Sequence, residues 1–167
     1  MKKIIILPLI AIIVLLTACG EKCLPDTISC DKILDTAIGS DLKYKNTTTY
    51  IKGQNDVDEY VMSMWADGVF EEFDEYDLIT DYAISYSNDN KTYEISVLKA
   101  KNSDDAKKLE KVLERRKETL CTGTKAAYDS EFDIMIKNSK IFTDANFAVF
   151  LLTDDNDTAL NRIDELK

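Results

Sequence analysis

The densest chemistry-bearing stretch of the chain is Phe70-Glu71-Glu72-Phe73-Asp74-Glu75-Tyr76-Asp77, in which carboxylates alternate with aromatic rings. Two carboxylates held across a sugar can hydrolyse a glycosidic bond, and several on one loop can hold a hard cation. Spacing alone does not set two of them across a substrate, and a solvated acidic face accounts for the same residues. Should a cation or small ligand bind, Glu71, Glu72, Asp74, Glu75 and Asp77 are the expected contacts. Trp65, Phe70, Phe73 and Tyr76 can line a groove for a sugar or a peptide, although rings at helical spacing serve equally well as core. Asp154, Asn156, Thr158 and Glu165 fit the first, third, fifth and twelfth positions of a calcium loop. The sixth position needs Gly for its turn and is Ala159 here, so an acidic helix N-terminus fits better. The chain contains no histidine, which removes the commonest general base, the usual catalytic triads and most zinc sites. Arg115-Arg116-Lys117 reads as a charge run on a helix surface. Nothing resembles a phosphate loop, a nucleophile elbow or a zinc-protease helix. No catalytic residue, metal or cofactor is therefore expected.

Cysteine is the other reactive side chain, at positions 19, 23, 30 and 121. Cys19 closes a recognisable segment. Lys2 and Lys3 are followed by an apolar run from Ile4 to Leu16, and the small residue Ala18 stands before the cysteine, which is the pattern of a secretory leader. The run is shorter than the roughly 20 apolar residues of a permanent span, and Pro8 weakens it further. Leu16-Thr17-Ala18-Cys19 resembles the lipobox of bacterial lipoproteins. That resemblance implies removal of residues 1–18, diacylation of Cys19, and a short lipidated tether over residues 19–26. Two acyl chains hold stably where one holds marginally. Gly20 follows the cysteine, so no acidic residue marks retention at an inner membrane. Beyond the anchor, an oxidising compartment permits disulfides, and the three remaining thiols allow at most one internal bridge. A Cys30–Cys121 bridge is geometrically plausible, Cys23–Cys30 is nearer in sequence, and unpaired thiols with Cys30 as a small core residue are the third alternative.

With the leader gone, Lys2 and Lys3 go too, and the formal charge of −10 becomes −12. Such acidity argues against nucleic acid, whose phosphates attract Lys and Arg, and against electrostatic adhesion to an anionic bilayer. It favours solubility, cations or a basic partner. What remains is long enough for one domain with a real core, placed over residues 27–167.

The elements that must position these residues follow from periodicity. A helix is expected from Asp26 or Thr27 to about Ile38, burying Ile28, Cys30, Ile33, Leu34, Ala37 and Ile38. Tyr44 to Gly53 reads as an edge strand or an extended connection. A second helix runs from Asp56 to about Ala66, with Val57, Tyr60, Val61, Met64 and Trp65 on its inner side. Ile79–Tyr86 and Tyr93–Ala100 are strands joined by Ser87-Asn88-Asp89-Asn90-Lys91, and their alternation predicts one wet face carrying Glu94 and Ser96. A long helix follows, capped at Ser103, with Arg115 on its outer side; Gly123 is a point where it bends or breaks before helix resumes to about Lys137. Lys140–Thr143 and Phe147–Leu152 form a second hairpin, and Thr153-Asp154-Asp155 caps a last helix. The two hairpin–helix units predict an α+β fold of ββαββα type: a four-stranded antiparallel sheet, helices packed on one face, and N-terminal helices added.

The acidic Tyr-rich segment, the hairpin strand Glu94-Ile95-Ser96-Val97-Leu98-Lys99-Ala100 and the helix with Leu113-Glu114-Arg115-Arg116 resemble a family of short Gram-positive lipoproteins. Its members carry a domain of unknown function, and the likeness covers roughly residues 28–153. The resemblance implies a Gram-positive envelope and transfers no catalytic residue. The expected function is that of a non-enzymatic domain, lipid-anchored on the outer face of the cell membrane, which binds an envelope protein or a cell-wall component. A small-ligand or cation-binding module at residues 70–77 is the alternative.

Overall fold

Phe147–Leu152 is apolar on both sides and cannot leave either face of a sheet in water, and the architecture follows from covering it together with its neighbour Glu94–Lys99. The computed structural model describes residues 22–40, 46–88, 93–124 and 130–167, and the side chains of 123–131 are not described. Cys19 with its leader, residues 89–92 of the first hairpin's turn, and Ala127 and Tyr128 lie outside the described residues. The elements are α1 (Cys30–Ile38), β1 (Thr47–Ile51), α2 (Glu59–Asp67), a single 3-10 turn (Tyr76–Leu78), β2 (Asp81–Ser87), β3 (Glu94–Lys99), α3 (Ser103–Thr124), α4 (Ser130–Asn138), β4 (Lys140–Asp144), β5 (Phe147–Leu152) and α5 (Asn156–Asp164). Among the described residues no helix is long and apolar enough to cross a membrane.

The class is α+β with an antiparallel sheet, as expected, but the sheet has five strands rather than four, in the order β1-β2-β3-β5-β4. The Thr- and Tyr-rich stretch supplies the fifth strand. Thr47 to Ile51 pair with Ser87 to Ala83, the Thr49 and Ser85 hydroxyls meet at 3.0 Å, and Tyr50 tilts against Tyr86 with ring centroids 6.0 Å apart. Cross-strand Thr–Ser and aromatic pairs of this kind stabilise an edge.

The expectation of helices on one face is corrected. Side chains alternate along a strand. Tyr82, Ile84, Leu98, Ala148, Phe150 and Leu152 enter one core with α2, α3 and α4. Ala83, Ile95, Val97, Phe147, Val149 and Leu151 enter a second core with α1 and α5. The two hairpin–helix units thus send their helices to opposite sides. The wet face expected for β3 does not exist either: Glu94 and Ser96 are fully buried. The pattern misled because a buried salt bridge satisfies the polar positions of the strand.

Helix starts are set as much by tertiary contacts as by local residues. The Cys30 amide donates to the Asp81 carboxylate at 2.9 Å, so α1 starts where a strand residue caps it rather than at Asp26 or Thr27. Asn102, not Ser103, caps α3 by accepting from the Asp105 amide. Asp155 caps α5 through the Thr158 amide. Residues near the expected tether are already docked: Leu24 is buried, its amide donates to Asp144, and Asn146 donates to the Asp26 side chain.

Candidate functional site

Helix α2 is apolar on more than one side, and the protein has core for only one of them. Asp58 caps it, accepting from the Val61 amide. Met62, Trp65 and Ala66 face inward and are buried, which leaves Tyr60 and Met64, one turn apart, on the outer face at 38% and 46% exposure. Gly68 ends the helix in the left-handed conformation, and the chain turns back on itself. Val69 and Phe70 then stand at 42% and 66% exposure, and Phe70 stacks on Tyr60 with centroids 5.3 Å apart. Four large apolar side chains from one helix and its following loop therefore face solvent together. Isolated exposed apolar residues are ordinary, and grouped ones are a feature that interaction surfaces share.

The back of this face is fixed by two adjacent arginines of α3. Arg115 reaches Asp67 at the end of α2 at 2.8 Å and Glu75 of the loop at 2.9 Å, and its guanidinium lies over the Phe73 ring. The hydrogen bond that Arg115 donates to Glu75 leads the causes that hold Arg115 firmly charged, with burial opposing and Asp67 assisting. Arg116 forks onto Glu94, with Nε and Nη2 at 3.0 and 2.7 Å from Oε2, and its Nη1 donates to the Trp65 carbonyl at 2.8 Å. Trp65 Nε1 and the Ser96 hydroxyl also donate to Glu94. The Arg116 guanidinium sits between the Trp65 and Tyr86 rings. Burial, aided by the Tyr50 hydroxyl, pushes the Tyr86 phenol up to about 12. A carboxylate at no exposure is tolerable only with such a complete set of donors. Thr119 closes the seam by donating to the Ala66 carbonyl at 3.0 Å. Arg115, Arg116, Thr119 and the Trp65 indole find partners within this seam, while among the described residues the buried Ser63 hydroxyl has none. That arrangement braces the exposed face of α2 from behind.

Residues 54–153 match the family described as Domain of unknown function (DUF4358). The chain belongs to this family. No curated protein and no solved structure matches the chain. The family's span contains α2, the following loop, β2, β3, α3 and both arginines, so the exposed face and everything that braces it lie inside the family domain. Helices α1 and α5 and the whole of β1 lie outside it. The likeness to a domain-of-unknown-function family drawn from the sequence stands at that level.

Within the family domain the acidic-aromatic segment is divided by the fold rather than gathered. Glu71, Glu72, Asp74 and Asp77 are exposed, and Glu75 is turned to Arg115. Trp65 and Phe73 are core residues, and the Tyr76 hydroxyl donates to the Val57 carbonyl at 2.7 Å. Of the four expected groove residues, only Phe70 faces solvent fully. Among the described residues no three carboxylates or thiols converge closely enough to hold a metal ion. In the stretch that resembles a calcium loop, Asn156 accepts from the Thr153 amide and donates to the Asn138 carbonyl, as a helix start does. Cys30 lies in the core beneath α1 and Cys121 on α3 across the sheet, so the bridge weighed between them is not formed. Burial, with Asp81 nearby, pushes the Cys30 thiol up, so it stays protonated. Arg115-Arg116 is no surface charge run, since both guanidinium groups are built into the α2–α3 seam.

Tyr60, Met64 and Val69 are the site residues that sequence reasoning missed as exposed. The signal was the excess itself: Tyr60, Val61, Met62, Met64, Trp65 and Ala66 give α2 more apolar surface than one buried stripe uses.

Proposed function

We propose that this protein is a non-enzymatic, membrane-anchored extracytoplasmic lipoprotein whose domain docks another protein of the cell envelope through the outer face of α2. The observation that carries the docking reading is the solvent-facing group Tyr60, Met64, Val69 and Phe70, with Phe70 stacked on Tyr60. Aromatic residues and methionine are enriched at protein interfaces relative to the rest of the surface. The lipobox-like Leu16-Thr17-Ala18-Cys19 supports the anchor, and its setting supports the outer face of a Gram-positive membrane. The lack of histidine supports a role without catalysis. A cation module at residues 70–77 has less support, because Glu75 is occupied by Arg115 and the other acids stand apart from any third ligand.

The test is photocrosslinking in intact cells, with a benzoylphenylalanine placed at Met64 or at Phe70 and a control at Lys107 on the exposed side of α3. The expected result is a discrete protein adduct from positions 64 and 70 that is absent from 107. No adduct at 64 and 70, or the same adducts at all three, would sink the docking reading. The anchor is checked alongside: Cys19→Ser should move the protein out of the membrane fraction, and retention of the variant there would overturn lipidation at Cys19.

A further inference from the structure

Resting on the docking reading, we propose the chemistry of the occupant: an apolar segment of a protein, flanked by lysine or arginine. The argument is charge complementarity around an apolar centre. Between Lys52 and Lys91 the sequence contains no basic residue, while residues 54–78 hold Asp56, Asp58, Glu59, Asp67, Glu71, Glu72, Asp74, Glu75 and Asp77. Arg115 pairs with Asp67 and Glu75, one positive charge shared between two acids, and Arg116 of the same helix is committed to Glu94. Lys52 is held over the Tyr76 and Tyr82 rings. Among the described residues, none of the other seven acids forms an ion pair. Glu59 adjoins Tyr60, and Glu71 and Glu72 adjoin Phe70, so an apolar centre is ringed by uncompensated negative charge.

This ring decides among the possible occupants. A second copy docking through the same face would set acid against acid, because a two-fold interface presents the same patch from both sides, and like charges brought together cost several kcal/mol. An anionic bilayer would repel the ring over a Debye length. A segment whose apolar side chains meet Phe70, Tyr60 and Met64, and whose basic residues reach Glu59, Glu71 and Glu72, satisfies both features. The polarisable Met64 thioether adapts to varied apolar shapes.

The probe is a fluorescein-labelled peptide with a Trp-Leu-Phe centre and three Arg or Lys residues on each side. It is titrated onto the full chain reconstituted in zwitterionic vesicles, with protein-free vesicles as background. Binding should be saturable and should weaken several-fold when salt is raised from about 0.1 to about 0.5 M. Phe70→Ser should weaken it at least about tenfold, the loss typical of a central interface residue. Glu71→Lys with Glu72→Lys should weaken it comparably, and both variants should melt where the parent does. Equal binding of a peptide with Glu in place of its basic residues would overturn the proposal, as would indifference to Phe70→Ser. So would binding to phosphatidylglycerol vesicles, or self-association, that Phe70→Ser abolishes. Adducts at positions 64 and 70 without peptide binding would remove the basic chemistry and leave the docking reading standing; loss of the adducts would remove the docking reading itself.

Discussion

Glu94 is the residue on which sequence and structure diverge most. Local alternation sets it on a wet face, since Tyr93, Ile95 and Val97 claim the other. Its partner Arg116 lies on a different element, 22 residues away, and no local period reports a pairing of that kind. The pair also explains why Trp65 is fixed, because the indole N–H and the guanidinium share one carboxylate. Breaking a buried pair leaves a charge without compensation and costs about 3–5 kcal/mol. Arg116→Met should therefore destabilise strongly. The sharper expectation is a change of sign. Glu94→Gln should destabilise the parent chain, because it discards the ion pair. In the Arg116→Met background it should stabilise, because it removes a buried charge while keeping an acceptor for Trp65 and Ser96. Urea unfolding followed by the fluorescence of Trp65, the only tryptophan, gives the four corners of the cycle. Equal effects of Glu94→Gln in the two backgrounds would show that the carboxylate and guanidinium are not coupled.

At the scale of the element, α2 shows what periodicity can and cannot read. Its existence, its approximate span and its end at Gly68 were legible from spacing and from the Asp67-Gly68 break. Its orientation was not. With apolar side chains at 60, 61, 62, 64, 65 and 66, several helical faces fit, and only the seam with α3 selects Met62, Trp65 and Ala66 for the core. The same seam makes Gly68 exacting. Its φ of 72° is left-handed, and an added Cβ would meet Thr119 Cγ2 at 3.2 Å. Gly68→Ala should cost roughly 1–2 kcal/mol from the backbone alone. Gly68→Asn keeps the crowding at Cβ but tolerates the left-handed region better, so it should cost less than Ala. The two urea midpoints separate the causes: if Asn and Ala are equally damaging, contact with Thr119 rather than backbone strain makes glycine necessary at the turn that presents Phe70.

For the whole molecule, four of the five strands and both hairpins were readable from alternation and turn residues, and the helices from spacing and caps, yet the layering was not. The alternation of β3 fits a sheet covered on one side only, while β5 is apolar throughout; the buried Glu94 and Ser96 tilted the reading toward water. Their true placement makes β3 and β5 common to two cores, and a mechanical consequence follows. Ile33 of α1 and Trp65 of α2 lie on opposite sides of the sheet. If α1 and α5 peeled away alone, Ile95, Val97, Val149 and Leu151 would be uncovered while still fixed in the sheet, losing burial without gaining the full chain entropy of unfolding. Such a half-covered state is a poor intermediate, so the two layers should unfold as one unit. Ile33→Ala should lower stability by about 2–5 kcal/mol, and the loss should appear equally in Trp65 fluorescence and in far-ultraviolet circular dichroism, although the substitution lies across the sheet from the indole. A circular-dichroism midpoint that falls while the fluorescence midpoint stays in place would mean that the α1–α5 layer detaches by itself, and that the family domain of residues 54–153 holds the exposed face of α2 without it.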